Sequence, residues 1–429
     1  MTAHAETRQD AESSYAWTRL FVSLLLMTIG GSGMYSVTVV LPRIQADFGV
    51  ARADASLPYT LTMLGFGLGG ILMGRLSDRF GVMVPVMLGS VGLGLGFIAA
   101  GSAGSLWQFS LAQGVLMGLL GTSATFAPLV ADTSQWFTRR RGMAVAICMS
   151  GNYLAGALWP PIMQHFIDSA GWRPTYIGMG VFCLLSMLPL ALVLRQRAPI
   201  LAKPAASDVA PVAALVKTAP AVVSGRAAER PLGMSPAALQ ILLCIAGVAC
   251  CTAMSMPQVH IVAYCGDLGF GAARGAEMLA LMLGLGVVSR LASGWISDRI
   301  GGLRTLLLGS LLQGVALLLF LPFNGLVSLY VVSGMFGLFQ GGIVPSYALI
   351  VREYFTPREA GARVGTVLMA TLFGMALGGW MSGAIFDLTG SYRAAFVNGI
   401  AWNLLNVGIV AFLIYRSRGS RGLGRPAVA

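Results

Sequence analysis

Apolar runs of about 20 residues recur along this chain from one end to the other, separated by short polar turns. A hydrocarbon core of ~30 Å is crossed by roughly 20 helical residues. The pattern predicts twelve membrane-spanning helices. Six fall at 17–41, 55–76, 83–101, 105–130, 143–167 and 175–194, and six at 238–265, 276–297, 303–323, 326–351, 364–386 and 394–415. Only helices and closed barrels satisfy their backbone groups in lipid, and the alternating ten-residue segments of a barrel are absent. Between the two sets, residues 196–235 carry Pro199, Pro204, Pro211, Pro220 and Pro231 among scattered charges, the composition of a flexible linker. The expected fold class is therefore an all-α membrane protein: a bundle over 1–195, a linker over 196–235 and a second bundle over 236–429.

Charge sharpens this picture. Charged residues make up 10% of the chain, against about 25% in soluble domains. A net charge of +12 would otherwise suggest a nucleic-acid partner. Of the 28 Lys and Arg, however, 22 lie in the N-terminus, the even-numbered loops and the C-terminus or in the span ends that border them. Five lie in odd-numbered loops (Arg43, Arg52, Arg173, Arg274, Arg393) and one, Arg290, lies deep within a span. That asymmetry is the positive-inside rule. It predicts a multi-pass protein of a bacterial inner membrane type, with both termini cytoplasmic and no nucleic-acid partner. The six cysteines lie in or at the ends of apolar runs and read as small buried hydrophobes. The chain has no phosphate-binding Gly-x-x-x-x-Gly-Lys and no metal or nucleophile constellation, so neither cofactor, metal nor enzymatic activity is expected.

The two halves repeat. Gly74-Arg75-Leu76-Ser77-Asp78-Arg79-Phe80-Gly81 follows the second span, and Gly294-Trp295-Ile296-Ser297-Asp298-Arg299-Ile300-Gly301 follows the eighth, 220 residues later. Trp136-Phe137-Thr138-Arg139-Arg140-Arg141-Gly142 precedes the fifth span and Tyr354-Phe355-Thr356-Pro357-Arg358-Glu359 the eleventh, 218 residues apart. Two unrelated motifs at nearly one spacing indicate a duplicated six-helix unit. Parallel repeats of this kind hold their substrate at the bilayer midplane between halves.

A Gly-x-x-x-Asp-Arg-x-Gly turn after spans two and eight, in a six-plus-six layout, resembles the major facilitator superfamily. Several further stretches resemble its monocarboxylate and oxalate/formate branch: His260, Arg290-x-x-x-Gly294, Ser150-Gly151, Gly171-Trp172-Arg173 and Gly383-x-x-x-Asp387-x-x-Gly390-Ser391-Tyr392. The resemblance implies the major facilitator fold, alternating access, a cavity lined by spans one, four, seven and ten, and a small carboxylate as substrate. It also implies that Asp78 and Arg79, with their repeats Asp298 and Arg299, latch the inner gate. The chain departs from the branch at three points. Tyr35 stands where monocarboxylate carriers commonly have a lysine, Gly286 stands one turn before Arg290 where they commonly have an aspartate, and the eleventh span has no lysine.

Arg290 is the outstanding residue. It lies eight residues before Asp298, which at ~1.5 Å per residue is ~12 Å inside the boundary of a core with a half-thickness of ~15 Å. An arginine there costs at least ~2.5–3.5 kcal/mol, and its stem covers about half the distance back to water. No aspartate or glutamate is expected at that depth to neutralise it. A planar, permanently charged fork suits a carboxylate, so substrate is the expected partner, and its binding would release the halves to close.

The other expected ligands are His260, Tyr35, Asn152, Tyr153, Gln340 and Tyr347. His260 equally reads as a core histidine or, because imidazole titrates near neutrality, as the group that couples transport to a proton. Each of the remaining polar residues, with Ser36, Gln113 and Thr122, equally reads as a helix–helix hydrogen bond. The 56 glycines read as close-packing surfaces. The expected function is a secondary carrier of a small carboxylate, working as a monomer with proton as a candidate second cargo. A drug or sugar carrier on the same fold and a transport-inactive sensor remain as alternatives.

Overall fold

The computed structural model describes residues 13–137, 140–196 and 231–422. Arg139 and nearly all of the 196–235 linker lie outside them. The described residues form twelve helices long and apolar enough to cross a membrane. They are α1 Ser14–Phe48, α2 Arg52–Phe80, α3 Met83–Gly101, α4 Leu106–Trp136, α5 Gly142–Ala170 and α6 Trp172–Val193, then α7 Pro236–Asp267, α8 Ala272–Ile300, α9 Gly302–Leu319, α10 Leu326–Tyr354, α11 Glu359–Thr389 and α12 Tyr392–Ser417. Several run past the apolar windows because polar, well-capped turns continue the helix into the interface. Asp387 at the head of α2 is one such cap, described below.

The halves meet along α2 against α11 and α5 against α8, with a smaller contact of α1 on α7. Glycines permit the close approaches. A Cβ on Gly383 of α11 would lie 2.9 Å from the Arg52 carbonyl oxygen, and one on Gly286 of α8 would lie 2.4 Å from the Tyr153 ring. An even number of spans puts both ends of the described chain on one face, called here the termini face.

Three spans are broken at mid-depth. α1 divides into Ser14–Gly30 and Ser32–Phe48. α4 passes from Leu106–Leu111 through wide π turns over Ala112–Thr122 to Ala127–Trp136. α10 divides into Leu326–Gln340 and Ile343–Tyr354. Irregular backbone in lipid must find other partners, and it does so at the first break. Thr122 Oγ1 donates to the Gly30 carbonyl at 3.1 Å and Trp159 Nε1 donates to the Thr28 carbonyl at 2.7 Å. π segments inside helices cluster at functional sites, and these breaks flank the cavity.

One buried ion pair ties α1 to α4 near the termini face. Arg19 Nε and Nη2 donate to the two Asp132 oxygens at 2.8 and 2.9 Å. The Arg19 Nη1 donates to the Tyr15 hydroxyl at 3.2 Å, and the guanidinium lies 4.9 Å from the Trp136 ring.

Candidate functional site

The helix breaks and interface glycines surround a central cavity of about 190 Å³ between the halves. Tyr35, Asn152, Tyr153 and Arg290 line it together. Tyr35 stands one turn beyond the α1 break, where Gly31 lets α1 touch α5: a Cβ there would meet the Ala155 Cβ at 2.5 Å. Its hydroxyl donates to Asn152 Oδ1 at 3.1 Å. Asn152 and Tyr153 follow Gly151, whose missing side chain brings α5 against the Leu24 carbonyl of α1.

Arg290 Nε and Nη1 are buried without a hydrogen-bond partner among the described residues. Its guanidinium lies 4.3 Å from the Tyr153 ring centroid. That ring fills the space beside Gly286, the position at which the resembled carriers commonly have aspartate. A π face attracts a cation by ~0.5–2 kcal/mol but leaves its charge intact. The protein thus positions Arg290 without neutralising it. A Gly286→Ala substitution places a Cβ into the Tyr153 ring edge. It is expected to lower stability by about 1–3 kcal/mol, and Tyr153→Leu in the same chain should recover most of the loss, as thermal unfolding of the single and double variants will show.

The other expected ligands lie elsewhere. Gln340 is buried behind the cavity wall and accepts at 2.8 Å from Gln258, which does line the cavity. Tyr347 is buried and donates to Asn406 Oδ1 at 3.0 Å, joining α10 to α12. Gln113 donates to the Tyr176 hydroxyl at 3.2 Å, and Ser36 bonds the Gly33 carbonyl. His260 is buried outside the cavity lining with both ring nitrogens engaged. Cys251, Met254 and Gln258 of α7 face the cavity at helical spacing. His260 follows Gln258 by two residues, about 200° around the helix axis, and so faces α11 and α12.

There it belongs to a network that closes the face opposite the termini. Because the Gly379 carbonyl, 2.8 Å from Nε2, can only accept, Nε2 carries the proton and Nδ1 accepts from the Tyr392 hydroxyl at 3.0 Å. The Tyr392 oxygen in turn accepts from Arg52 Nη1 at 2.9 Å. Arg52, from the first half, also pairs with Asp267 of the second, while its Nε donates to Gln45 at 2.9 Å. Its guanidinium lies 4.2 Å from the Phe386 ring. Asp387 of α11 caps α2 across the interface, accepting from the Arg52 and Ala53 amides at 2.9 and 2.7 Å. A carboxylate at a helix N-terminus meets both orphan amides and the positive end of the dipole. Sequence reasoning counted Arg52 as a loop charge and missed this network, although His260 and the stretch from Gly383 through Asp387 to Tyr392 carried its signal.

The termini face is arranged differently. Arg290, Met149, Pro345 and Ala348 also line a second crevice of about 180 Å³, which reaches Gly142, Ser297 and Arg352 at the ends of α5, α8 and α10. Asp78, Arg79, Asp298 and Arg299 are all exposed, and among the described residues none joins an ion pair. Arg79 lies 5.2 Å from the Phe80 ring and Arg299 3.7 Å from that of Trp295. The expected inner latch is therefore not engaged in this state. The crevice extends the Arg290 site toward the termini face, whereas the Arg52 network bridges the two halves at the opposite face.

A twelve-span bundle of two halves around a central cavity has the architecture of a membrane carrier. The sequence profile of the Major Facilitator Superfamily matches residues 21–327 and 278–429, and the chain belongs to that superfamily. It is a multi-pass membrane transporter and not an enzyme. Monocarboxylate transporter 13 of Bos taurus is 30% identical over 340 residues, spanning 79% of this chain and 75% of the relative. Monocarboxylate transporter 11 of Mus musculus is 26% identical over 395 residues, spanning 90% and 84%. A solved bacterial homologue of the human lysosomal transporter Spinster, in an inward-facing and unoccupied conformation, shares the fold at a TM-score of 0.65 and 17% identity, over 94% of this chain and 96% of that one.

Proposed function

We propose that this secondary transporter carries a small carboxylate, held by Arg290 at the centre of the cavity. The observation that carries the reading is the guanidinium itself, placed between the halves with two buried nitrogens and no hydrogen-bond partner among the described residues. An uncompensated cation in a low-dielectric site binds an anion strongly, and a carboxylate matches the fork of donors. Tyr35 and Asn152 are proposed to orient the bound group and Tyr153 to hold the guanidinium in place. The similarity to monocarboxylate transporters supports the same substrate class.

The two halves are proposed to rock about this site. Asp78, Arg79, Asp298 and Arg299 would close the termini face in the alternate state. The distribution of Lys and Arg supports placing that face in the cytoplasm of an inner membrane. His260, bonded within the opposite-face network, is proposed as part of that closure rather than as a ligand.

Counterflow in proteoliposomes, with a panel of labelled mono- and dicarboxylates, tests the reading. Removing one member of a buried charge pair costs about 2–5 kcal/mol, so Arg290→Ala should lose about thirtyfold to several thousandfold in apparent affinity. Arg290→Lys should lose part of that, since an ammonium lacks the fork. Wild-type transport by both variants would refute the proposal.

A further inference from the structure

We infer that the transported anion is a monocarboxylate with an apolar body, an aryl or alkyl acid rather than a hydroxy acid or a dicarboxylate. The inference rests on the reading that Arg290 holds the carboxylate. Arg290 is the only charged side chain among the described residues that line the central cavity. One fixed cation neutralises one carboxylate. A second carboxylate in the same space would be desolvated with no counter-charge.

Several polar groups of the wall are already committed to the protein, which leaves the Tyr59 and Tyr153 hydroxyls, the Asn152 amide nitrogen and the Gln258 side-chain oxygen. Thr38 donates to the Tyr35 carbonyl and Thr371 to the Leu368 carbonyl, each at 2.7 Å. The Tyr35 hydroxyl proton is directed at Asn152, and the Gln258 amide donates to Gln340. A hydroxyl on the substrate would therefore leave water for a mostly apolar wall, and would recover its bonds only where it reached one of those four groups. A site rejects a polar group when its bonds with water are not replaced.

The remaining wall is apolar and adaptable. Five methionines line it (Met34, Met63, Met149, Met254 and Met375), along with the rings of Tyr59, Phe66 and Phe126. Unbranched, polarizable methionine side chains repack around ligands of different shape and make favourable sulfur–aromatic contacts. Such a wall gains affinity with every methylene or ring carbon removed from water. Burial of one methylene corresponds to about fourfold in binding.

Isothermal titration of the purified full-length protein tests the assignment with acetate, butyrate, hexanoate, lactate, succinate, phenylacetate and the neutral phenylacetamide. The expected result is a dissociation constant that falls about fourfold per methylene from acetate to hexanoate. Phenylacetate should fall among the tight binders, with lactate and succinate among the weakest. Phenylacetamide should bind at least about thirtyfold more weakly than phenylacetate. Met375→Gln should weaken hexanoate more than acetate, and Arg290→Ala should abolish the acid-over-amide preference, which separates specific binding from partition into detergent. If lactate or succinate binds as tightly as hexanoate while Arg290→Ala still removes binding, the apolar class is wrong and the carboxylate reading stands. If phenylacetamide matches phenylacetate, or Arg290→Ala keeps full affinity for the acids, the carboxylate reading itself fails.

Discussion

Asp132→Ala is expected to be among the most damaging single substitutions to stability, lowering it by about 3–5 kcal/mol. Asp132 and Arg19 are almost fully buried, with side chains 8% and 2% exposed, and meet through two parallel N–H···O bonds. Truncating the aspartate leaves a guanidinium stranded between α1 and α4, with Tyr15 and the Trp136 ring as its remaining partners among the described residues. The loss comes from the stranded charge rather than from a large net gain of the pair, because desolvation offsets most of the Coulombic attraction. The paired change Arg19→Met with Asp132→Leu should therefore be near neutral, or stabilising by about 1–4 kcal/mol. Thermal unfolding of the wild type, Asp132→Ala and the double variant decides this. If the double variant is as unstable as the single one, the pair contributes more than its burial costs.

Much of the fold could be read from hydrophobic period alone, since a membrane demands long apolar helices and hides little of that demand. The duplication was readable too, because Asp78-Arg79 and Asp298-Arg299 recur in register. The same symmetry explains what could not be read. Two copies of a motif do not say which face is closed, and the exposed positions of both pairs belong to a conformational state, not to the chain's composition.

The neighbourhood of Arg290 was partly legible. Its depth and the lack of a nearby acid follow from counting residues, and Tyr35, Asn152 and Tyr153 do meet it at the cavity. That a ring would occupy the space beside Gly286 was not legible, because it depends on how closely α5 approaches α8. His260 was misplaced for a different reason. Depth along a helix was known, but azimuth was not used, and two residues of rotation separate it from Gln258. Arg19 and Arg52 were counted as topology charges because both sit near span ends. Their partners, the buried Asp132 and the Tyr392–Asp267 pair, lie 113 or more residues away in sequence.

The opposite-face network carries the second large effect, on conformational equilibrium rather than on folding. Asp387→Ala removes a carboxylate that accepts from two α2 amides across the interface. Loss of a helix cap costs about 0.5–2 kcal/mol, and the helix dipole adds ~0.3–1 kcal/mol. Arg52→Ala removes the partner of both Asp267 and Tyr392, and with Tyr392 the order of His260. The Arg52–Asp267 pair has one partner 37% exposed, so solvent screening keeps its own share small.

A combined loss of ~2 kcal/mol shifts a two-state equilibrium by roughly thirtyfold, toward the state open at the opposite face. Folding should be much less affected, because each half keeps its internal packing. Ala348, which lines both the cavity and the crevice to the termini face, is the reporter. In a background lacking the native cysteines, Ala348→Cys should react with an impermeant thiol reagent added from the termini face. Adding Arg52→Ala or Asp387→Ala should slow that reaction severalfold or more, and open the cavity to the reagent from the other face. Labelling rates unchanged on both sides would mean that closure of the opposite face is held by apolar packing of α2 against α11, with Gly379 and Gly383 setting its tightness, and that the charged network is incidental to it.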